Sequence, residues 1–253
     1  MNKAQRFMAS GQDRLRRFRA PRKPSPKAGR WRDLGLRAAS AVVLGPLVLA
    51  ALWQGGFAFT VMLLAATVGL SFEWAALMAP RPGGKLRRGL RMLGGAAYIV
   101  IPIAALAFLR GDAMLGRINT LFLVLLVWAT DIGAYLAGRA IGGRKLAPWI
   151  SPGKTISGAV GGVVAGLCVG GAGWAFAGGS LPLALGAAAL LSVVAQIGDL
   201  GESALKRRLG VKDSGRIIPG HGGLFDRLDG LLAAAPVAAL LAFATGGGVV
   251  LWR

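Results

Sequence analysis

Asp199, Glu202, Asp213, Asp226 and Asp229 fall in one stretch, DLGESALKRRLGVKDSGRIIPGHGGLFDRLD, and make up half of the ten carboxylates in the 253-residue chain. The same stretch holds the single histidine, His221, and six of the thirty Lys and Arg residues. Hard divalent cations such as Mg²⁺ take oxygen ligands, often one or two carboxylates completed by substrate phosphates. Asp199 and Asp226 suit such a cage. Asp199, Glu202 and Ser203 stand at i, i+3 and i+4 and share one face if the segment is helical. Lys206, Arg207 and Arg208 follow within two turns. Asp226 and Asp229 share a face near an expected helix start, where negative charge is best tolerated. Between them, Pro219-Gly220-His221-Gly222-Gly223 can bring backbone N–H groups close to a phosphate. His221 either donates to that phosphate or fixes the loop. The plainer alternative for the whole stretch is a set of surface salt bridges.

Two upstream segments carry similar chemistry. Asp131 stands in WATDIGAYLAGR with Tyr135 at i+4. A carboxylate inside an apolar run is expensive and marks function by default, the alternative being structural pairing with an Arg. Ser151-Pro152-Gly153-Lys154-Thr155 precedes another apolar run. It fits ordinary helix-start chemistry, and Lys154 and Thr155 at a helix N-terminus also suit a phosphate. Glu73 lies in an apolar run and is either buried and paired or part of the site.

The elements that must position these residues are membrane spans. The chain is 55% hydrophobic and 16% charged, with a mean hydropathy of +0.59. A span needs roughly 20 mostly apolar residues. The runs 38–53, 57–79, 92–109, 118–138, 156–178, 181–198 and 230–252 meet or approach that length. They lack the alternation of a barrel strand, so the expected fold is an all-α polytopic membrane protein with about seven spans, in a range of about seven to nine. Residues 1–37 hold twelve Lys or Arg against Asp13 and Asp33 and are expected to form a disordered cytoplasmic tail, not a signal peptide. Residues 38–117 then form N-terminal membrane helices, and 118–253 a catalytic membrane domain with its signature loop at 199–229. With the N-terminus inside, every basic cluster falls on the cytoplasmic side, as the positive-inside rule asks. The net charge of +20 is therefore assigned to cytoplasmic loops and not to nucleic-acid binding. Gly158, Gly162, Gly166 and Gly170 have the spacing of a close helix–helix contact. Cys168 stands alone in an uncharged run, so no disulfide framework is expected.

These residues resemble a known family. Ser203, Lys206-Arg207, Lys212-Asp213, Gly215, Pro219, His221-Gly222-Gly223, Asp226-Arg227 and Asp229 follow the signature of the phosphatidate cytidylyltransferases. The family's D-x-x-A-Y-x-x-G-R segment appears as Asp131, Ala134, Tyr135, Gly138 and Arg139. Its S-P-x-K-T-x-x-G element appears as Ser151, Pro152, Lys154, Thr155 and Gly158. The clear resemblance covers about residues 128–230. Gly153 stands where the family often has a second Lys, and Ser157 where it often has a Glu.

The resemblance implies transfer of a cytidylyl group from CTP to phosphatidic acid, giving CDP-diacylglycerol and pyrophosphate. It implies a bacterial inner-membrane enzyme with its site facing the cytoplasm, and it admits a homodimer. The residues expected to carry the reaction are Asp131, Lys206, Lys212, Asp213, His221 and Asp229. Ser151, Lys154, Thr155, Ser203, Arg207, Gly222, Gly223 and Arg227 are expected to hold phosphates. Mg²⁺ is expected on Asp199 and Asp226, and a second ion could clamp the attacking and leaving oxygens. A CTP-dependent lipid kinase, a transporter and a membrane scaffold are the competing readings. A kinase would release CDP, a transporter would place its charges near the midplane, and a scaffold would need no carboxylate cluster.

Overall fold

The computed structural model describes residues 42–79, 81–111, 115–215, 217, 222–245 and 251–252. The expected basic tail at 1–37, residues 38–41 of the first expected span and His221 lie outside these. Seven helices follow in order: α1 (Val42–Gln54), α2 (Gly56–Met78), α3 (Lys85–Arg110), α4 (Leu115–Ala140), α5 (Ile156–Ala177), α6 (Leu181–Arg208) and α7 (Phe225–Ala244). Helices α2 to α7 are six that are long and apolar enough to cross a membrane, while α1 is apolar but shorter. The all-α polytopic expectation therefore holds, with six such helices among the described residues where about seven were expected.

Two helices outrun their apolar cores. The apolar run at 181–198 continues as helix to Arg208, so Asp199, Glu202 and Lys206 ride on α6 past its greasy part. The run at 92–109 begins as helix already at Lys85, inside the basic segment. An all-α expectation also misses a small hairpin between α4 and α5. Strand β1 (Lys145–Ala147) pairs antiparallel with β2 (Ser151–Thr155), Lys145 opposite Thr155 and Ala147 opposite Ser151.

The basic segments meet at one end of the bundle. An Arg81 guanidinium nitrogen donates to the Leu209 carbonyl, and Arg207 Nε donates to the Ile150 carbonyl at 3.2 Å. At the opposite end, Arg110 Nε donates to the Leu52 carbonyl at 2.9 Å and Trp252 Nε1 to the Gly178 carbonyl at 2.9 Å. The core between the ends is built on α4, α6 and α7, with Leu123, Leu126, Ala188, Leu191, Ala234 and Ala238 essentially inaccessible. The glycine stripe is where α5 joins it. All four glycines are buried. An added Cβ would sit 2.8 Å from the Ala134 carbonyl at Gly158, and 2.9 Å from the Thr130 carbonyl at Gly162. At Gly170 it would lie 2.7 Å from the Ala188 methyl. Small residues let the backbones approach this closely, which is how such helices associate where solvent gives no hydrophobic drive.

Candidate active site

A cleft of about 580 Å³ opens where α4, the hairpin, α6 and α7 come together. Helix α4 contributes Asp131, Tyr135 and Arg139, and β2 contributes Lys154 and Thr155. Helix α6 contributes Gln196, Asp199 and Lys206, and α7 contributes Asp226, Arg227 and Asp229. Four carboxylates and four cationic side chains thus share one cavity. Local sequence explains the floor. Thr155 caps α5 by accepting a hydrogen bond from the Gly158 N–H at 3.0 Å, as a threonine at a helix start does. A Cβ on Gly138 would lie 2.9 Å from that Thr155 hydroxyl, so the glycine lets α4 pass beside the cap.

The two carboxylates expected to hold metal each face an ammonium group. Lys154 Nζ pairs with Asp199 Oδ2, and Lys206 Nζ with Asp226 Oδ1. Lys206 also lies 3.2 Å from Glu202 Oε1, one turn back on its own helix. Glu202 is buried, and Lys206 is its ion-pair partner. The other oxygen of Asp226 is held tightly. Its Oδ2 accepts from the Ser214 N–H, the Ser214 hydroxyl and the Gly223 N–H, each at 3.0 Å. A carboxylate oxygen with three donors keeps one orientation. Asp229 Oδ1 accepts from the Gly230 N–H at 2.8 Å.

Glu73, left open by the sequence, proves central to this network. It lies on α2, 3% exposed, and reaches the start of α7. Its Oε1 accepts from the Leu224 N–H at 2.8 Å, and its Oε2 from the Phe225 N–H at 3.0 Å. Those N–H groups belong to the first turn, which has no partners within its own helix. Negative charge there also meets the favourable end of the helix dipole. The Ser214 hydroxyl lies 3.2 Å from Glu73 Oε2 as well as 3.0 Å from Asp226 Oδ2. A hydroxyl has one proton, so Ser214 donates to one carboxylate at a time. Its backbone N–H holds Asp226 in either case.

Eight of the expected site residues line the cleft: Asp131, Lys154, Thr155, Asp199, Lys206, Asp226, Arg227 and Asp229. The others do not. Gly222 and Gly223 sit against Asp226, and the Gly223 N–H is used on that carboxylate. Gly222 adopts φ 84°, the left-handed conformation that glycine takes without strain. A Cβ on Gly223 would lie 1.8 Å from the Ser214 hydroxyl oxygen, so only glycine lets the loop close on Ser214. Ser151 and Ser203 are half-buried, and Arg207, Lys212 and Asp213 are exposed. Arg207 instead ties α6 to the hairpin. Sequence reasoning missed Gln196, whose Nε2 donates to the Ala159 carbonyl at 3.2 Å across the cleft wall. A lone polar residue in the apolar run of α6 was the available signal. It also missed Ser214, for which spacing gave no sign.

The fold and cleft define an integral membrane helical protein that brings carboxylates and lysines together at one end of its bundle. The sequence pattern of the cytidylyltransferase family matches residues 81–245, and the chain belongs to that family. A phosphatidate cytidylyltransferase of Brucella suis is 40% identical over 254 aligned residues, covering 80% of this chain and 91% of its own length. That of Pseudomonas aeruginosa is 41% identical, covering 66% of this chain and 61% of its own. A Staphylococcus aureus relative of the same name is 47% identical over 48% of this chain and 47% of its own.

Proposed function

We propose that this protein transfers a cytidylyl group from CTP to phosphatidic acid, forming CDP-diacylglycerol and releasing pyrophosphate. Membership of the cytidylyltransferase family and the relatives named for this activity support the assignment. The observation that carries it is the meeting of Asp131, Lys154, Asp199, Lys206, Asp226, Arg227 and Asp229 in one cleft. An oxygen of the lipid phosphate attacks the α-phosphorus of CTP, a new P–O bond forms, and the bond to the β-phosphate oxygen breaks. The electron pair leaves with pyrophosphate. Because the nucleophile is already an anion, no dedicated base is needed. Catalysis of this kind rests on positioning and on neutralising charge. Lys154, Lys206 and Arg227, three of the four cationic groups in the cleft, would meet the phosphates. Lys212, Asp213 and His221 are proposed to join the site from the neighbouring loop, and Ser151, Ser203, Arg207 and Gly222 to support phosphate binding from its rim.

The donor set fits a hard divalent cation. Asp199 and Asp226 are oxygen donors that already face cationic groups in this structure. Among the described residues, no three His, Cys, Asp or Glu side chains converge as a metal cage. A cation held there would draw on one or two carboxylates plus substrate oxygens, which is how Mg²⁺ is usually bound. Asp199 and Asp226 would hold it, with Asp131 and Asp229 beside them. When bound, Mg²⁺ screens the charge of the two phosphates that must approach each other, and a second ion would add to that screening.

The bacterial relatives and the basic segments gathered at the cleft end support an inner-membrane protein whose cleft faces the cytoplasm. A homodimer belongs to the same reading and rests on the family resemblance alone. The test is pyrophosphate release by the purified protein from CTP and phosphatidate, with Mg²⁺ and with chelator, and identification of the lipid product. CDP-diacylglycerol formed only with metal is the expected result. CDP release with a phosphorylated lipid would replace this reading by a kinase, and turnover undiminished by chelator would remove the metal.

A further inference from the structure

The end of the bundle opposite the cleft carries two arginines in very different circumstances. Arg110 is buried and satisfied: its guanidinium donates to the Leu52 carbonyl at 2.9 Å and to the Trp53 carbonyl at 3.3 Å. Gly55 makes room for it, since a Cβ there would lie 2.1 Å from an Arg110 guanidinium nitrogen. Arg117, one turn into α4, has no such arrangement. Its Nε is buried without a hydrogen-bond partner, and its guanidinium lies 5.5 Å from the Trp53 ring centroid. The aromatic face offers cation–π attraction but accepts no N–H bond at Nε.

Arg117 stands on the wall between two cavities. One, of about 430 Å³, mixes polar groups such as Gln54, Thr60 and Arg110 with apolar ones such as Phe59 and Leu63, from the α1–α2 turn, α2 and the end of α3. The other, of about 420 Å³, is almost wholly apolar and runs down between α4 and α5 past Phe122, Leu125, Val169 and Trp252. A buried guanidinium N–H without a hydrogen bond is costly, and its partner should be sought. A half-polar chamber and an apolar channel meeting at one guanidinium match a molecule with an anionic head and an acyl tail. All described carboxylates capable of pairing with Arg117 lie toward the other end of the bundle, on α2, α4, α6, α7 and the signature loop.

We propose that this far-end pocket binds an anionic phospholipid of the bulk bilayer, its phosphate on Arg117 and one acyl chain in the channel between α4 and α5. The site is separate from the cleft and does not depend on the reading of the reaction. Guanidinium forks suit phosphate oxygens, and such charge-assisted bonds are the stronger ones. The channel gives the tail a seat, while Trp53 holds the guanidinium at the mouth.

The experiment is native mass spectrometry of the purified full-length chain after delipidation, titrated with phosphatidylglycerol and, separately, with phosphatidylcholine. The wild type is expected to retain one phosphatidylglycerol in preference to phosphatidylcholine. R117A should weaken phosphatidylglycerol retention about tenfold or more, as loss of a charged hydrogen bond does. V169F, which narrows the channel and leaves Arg117 in place, should weaken it too and serves where R117A does not accumulate. K154A, at the cleft, should leave it unchanged and so separates this lipid from one bound as substrate. Equal retention of both lipids by the wild type, or unaltered phosphatidylglycerol retention in R117A or V169F, overturns the proposal. So does a loss seen only in K154A. A wild type that retains no lipid but whose dimer dissociates on R117A substitution would assign the pocket to a second copy of the chain, and overturns it as well.

Discussion

Glu73 on α2 accepts the backbone N–H of Phe225, the first residue of α7, at 3.0 Å, and is bridged to Asp226 through Ser214. The start of the helix carrying Asp226, Arg227 and Asp229 is therefore fixed by a carboxylate from another helix, one that lies outside the segment matched by the family pattern. Replacing Glu73 by Ala leaves the buried Phe225 N–H unsatisfied, at about 1–3 kcal/mol, and strips the half-buried Leu224 N–H of its partner as well. E73A should melt at a lower temperature and turn over more slowly by an order of magnitude or more. E73Q keeps the shape but turns an NH₂ toward one of the two donors, so it should fall between wild type and E73A. Thermal melting in detergent together with pyrophosphate release checks both. Wild-type values for E73A would show that the network does not position the site.

Asp226 is the point where orientation and charge meet. Asn is nearly isosteric, but it removes the charge that Lys206 pairs with and presents an NH₂ either to that lysine or to the Ser214 and Gly223 N–H groups. D226N should insert and fold, because its loop remains closed by Glu73 at Leu224 and Phe225. Its turnover should fall roughly 100-fold or more, beyond the usual cost of losing a supporting partner of a metal ligand. Near-normal turnover of the folded variant would take Asp226 out of the metal role.

Much of this site was visible in the sequence because its parts are local. Asp199, Glu202 and Ser203 share a helical face, with Lys206 within two turns, once α6 continues beyond its apolar core, and spacing alone shows it. Asp226 and Asp229 sit near a helix start for the same reason, and the glycine stripe of α5 is a repeat. The contacts that close the site are not local. Glu73 meets Leu224 and Phe225 across most of the chain, and nothing in the greasy sequence of α2 says which helix end it faces. The hairpin escaped because its strands are shorter than any periodicity can register. Lys212 and Asp213 came from the family signature and are exposed on the loop after α6; a motif fixes order along the chain and not the direction of a loop side chain.

Lys154 is the only described cation that the hairpin places in the cleft, and it pairs with Asp199. Lys is a point charge on a flexible stem, suited to exchanging a carboxylate for an incoming phosphate. K154Q should therefore raise the CTP concentration needed for half-maximal rate by about tenfold, the effect of losing one charge-assisted hydrogen bond. The effect should shrink as salt rises, because the lost attraction is electrostatic and partly exposed. Steady-state rates over a CTP series at two ionic strengths measure this. A K154Q enzyme with unchanged CTP dependence at low salt would assign Lys154 to packing against Asp199 alone.

Two glycines of α5 should respond in opposite ways to the same methyl group. At Gly166 an added Cβ would lie 1.9 Å from Ser192 Oγ, and that hydroxyl is itself buried and hydrogen-bonded to Thr130 at 2.8 Å. At Gly171 nothing lies within 4 Å. Alanine gains roughly 0.5–1 kcal/mol over glycine inside a helix at either position. Overpacking at Gly166 costs about 1–3 kcal/mol, and breaking the Ser192–Thr130 bond adds to it. The clash outweighs the helix gain at Gly166 and is absent at Gly171. G166A should thus lower the melting temperature and loosen the contact of α5 with α4 and α6, while G171A should match or exceed the wild type. Equal melting temperatures for the two variants would mean that the three helices do not meet as closely as the glycine stripe implies. Because Asp131 and Thr155 lie at the cleft ends of α4 and of the cap of α5, G166A should also slow turnover, and G171A should not.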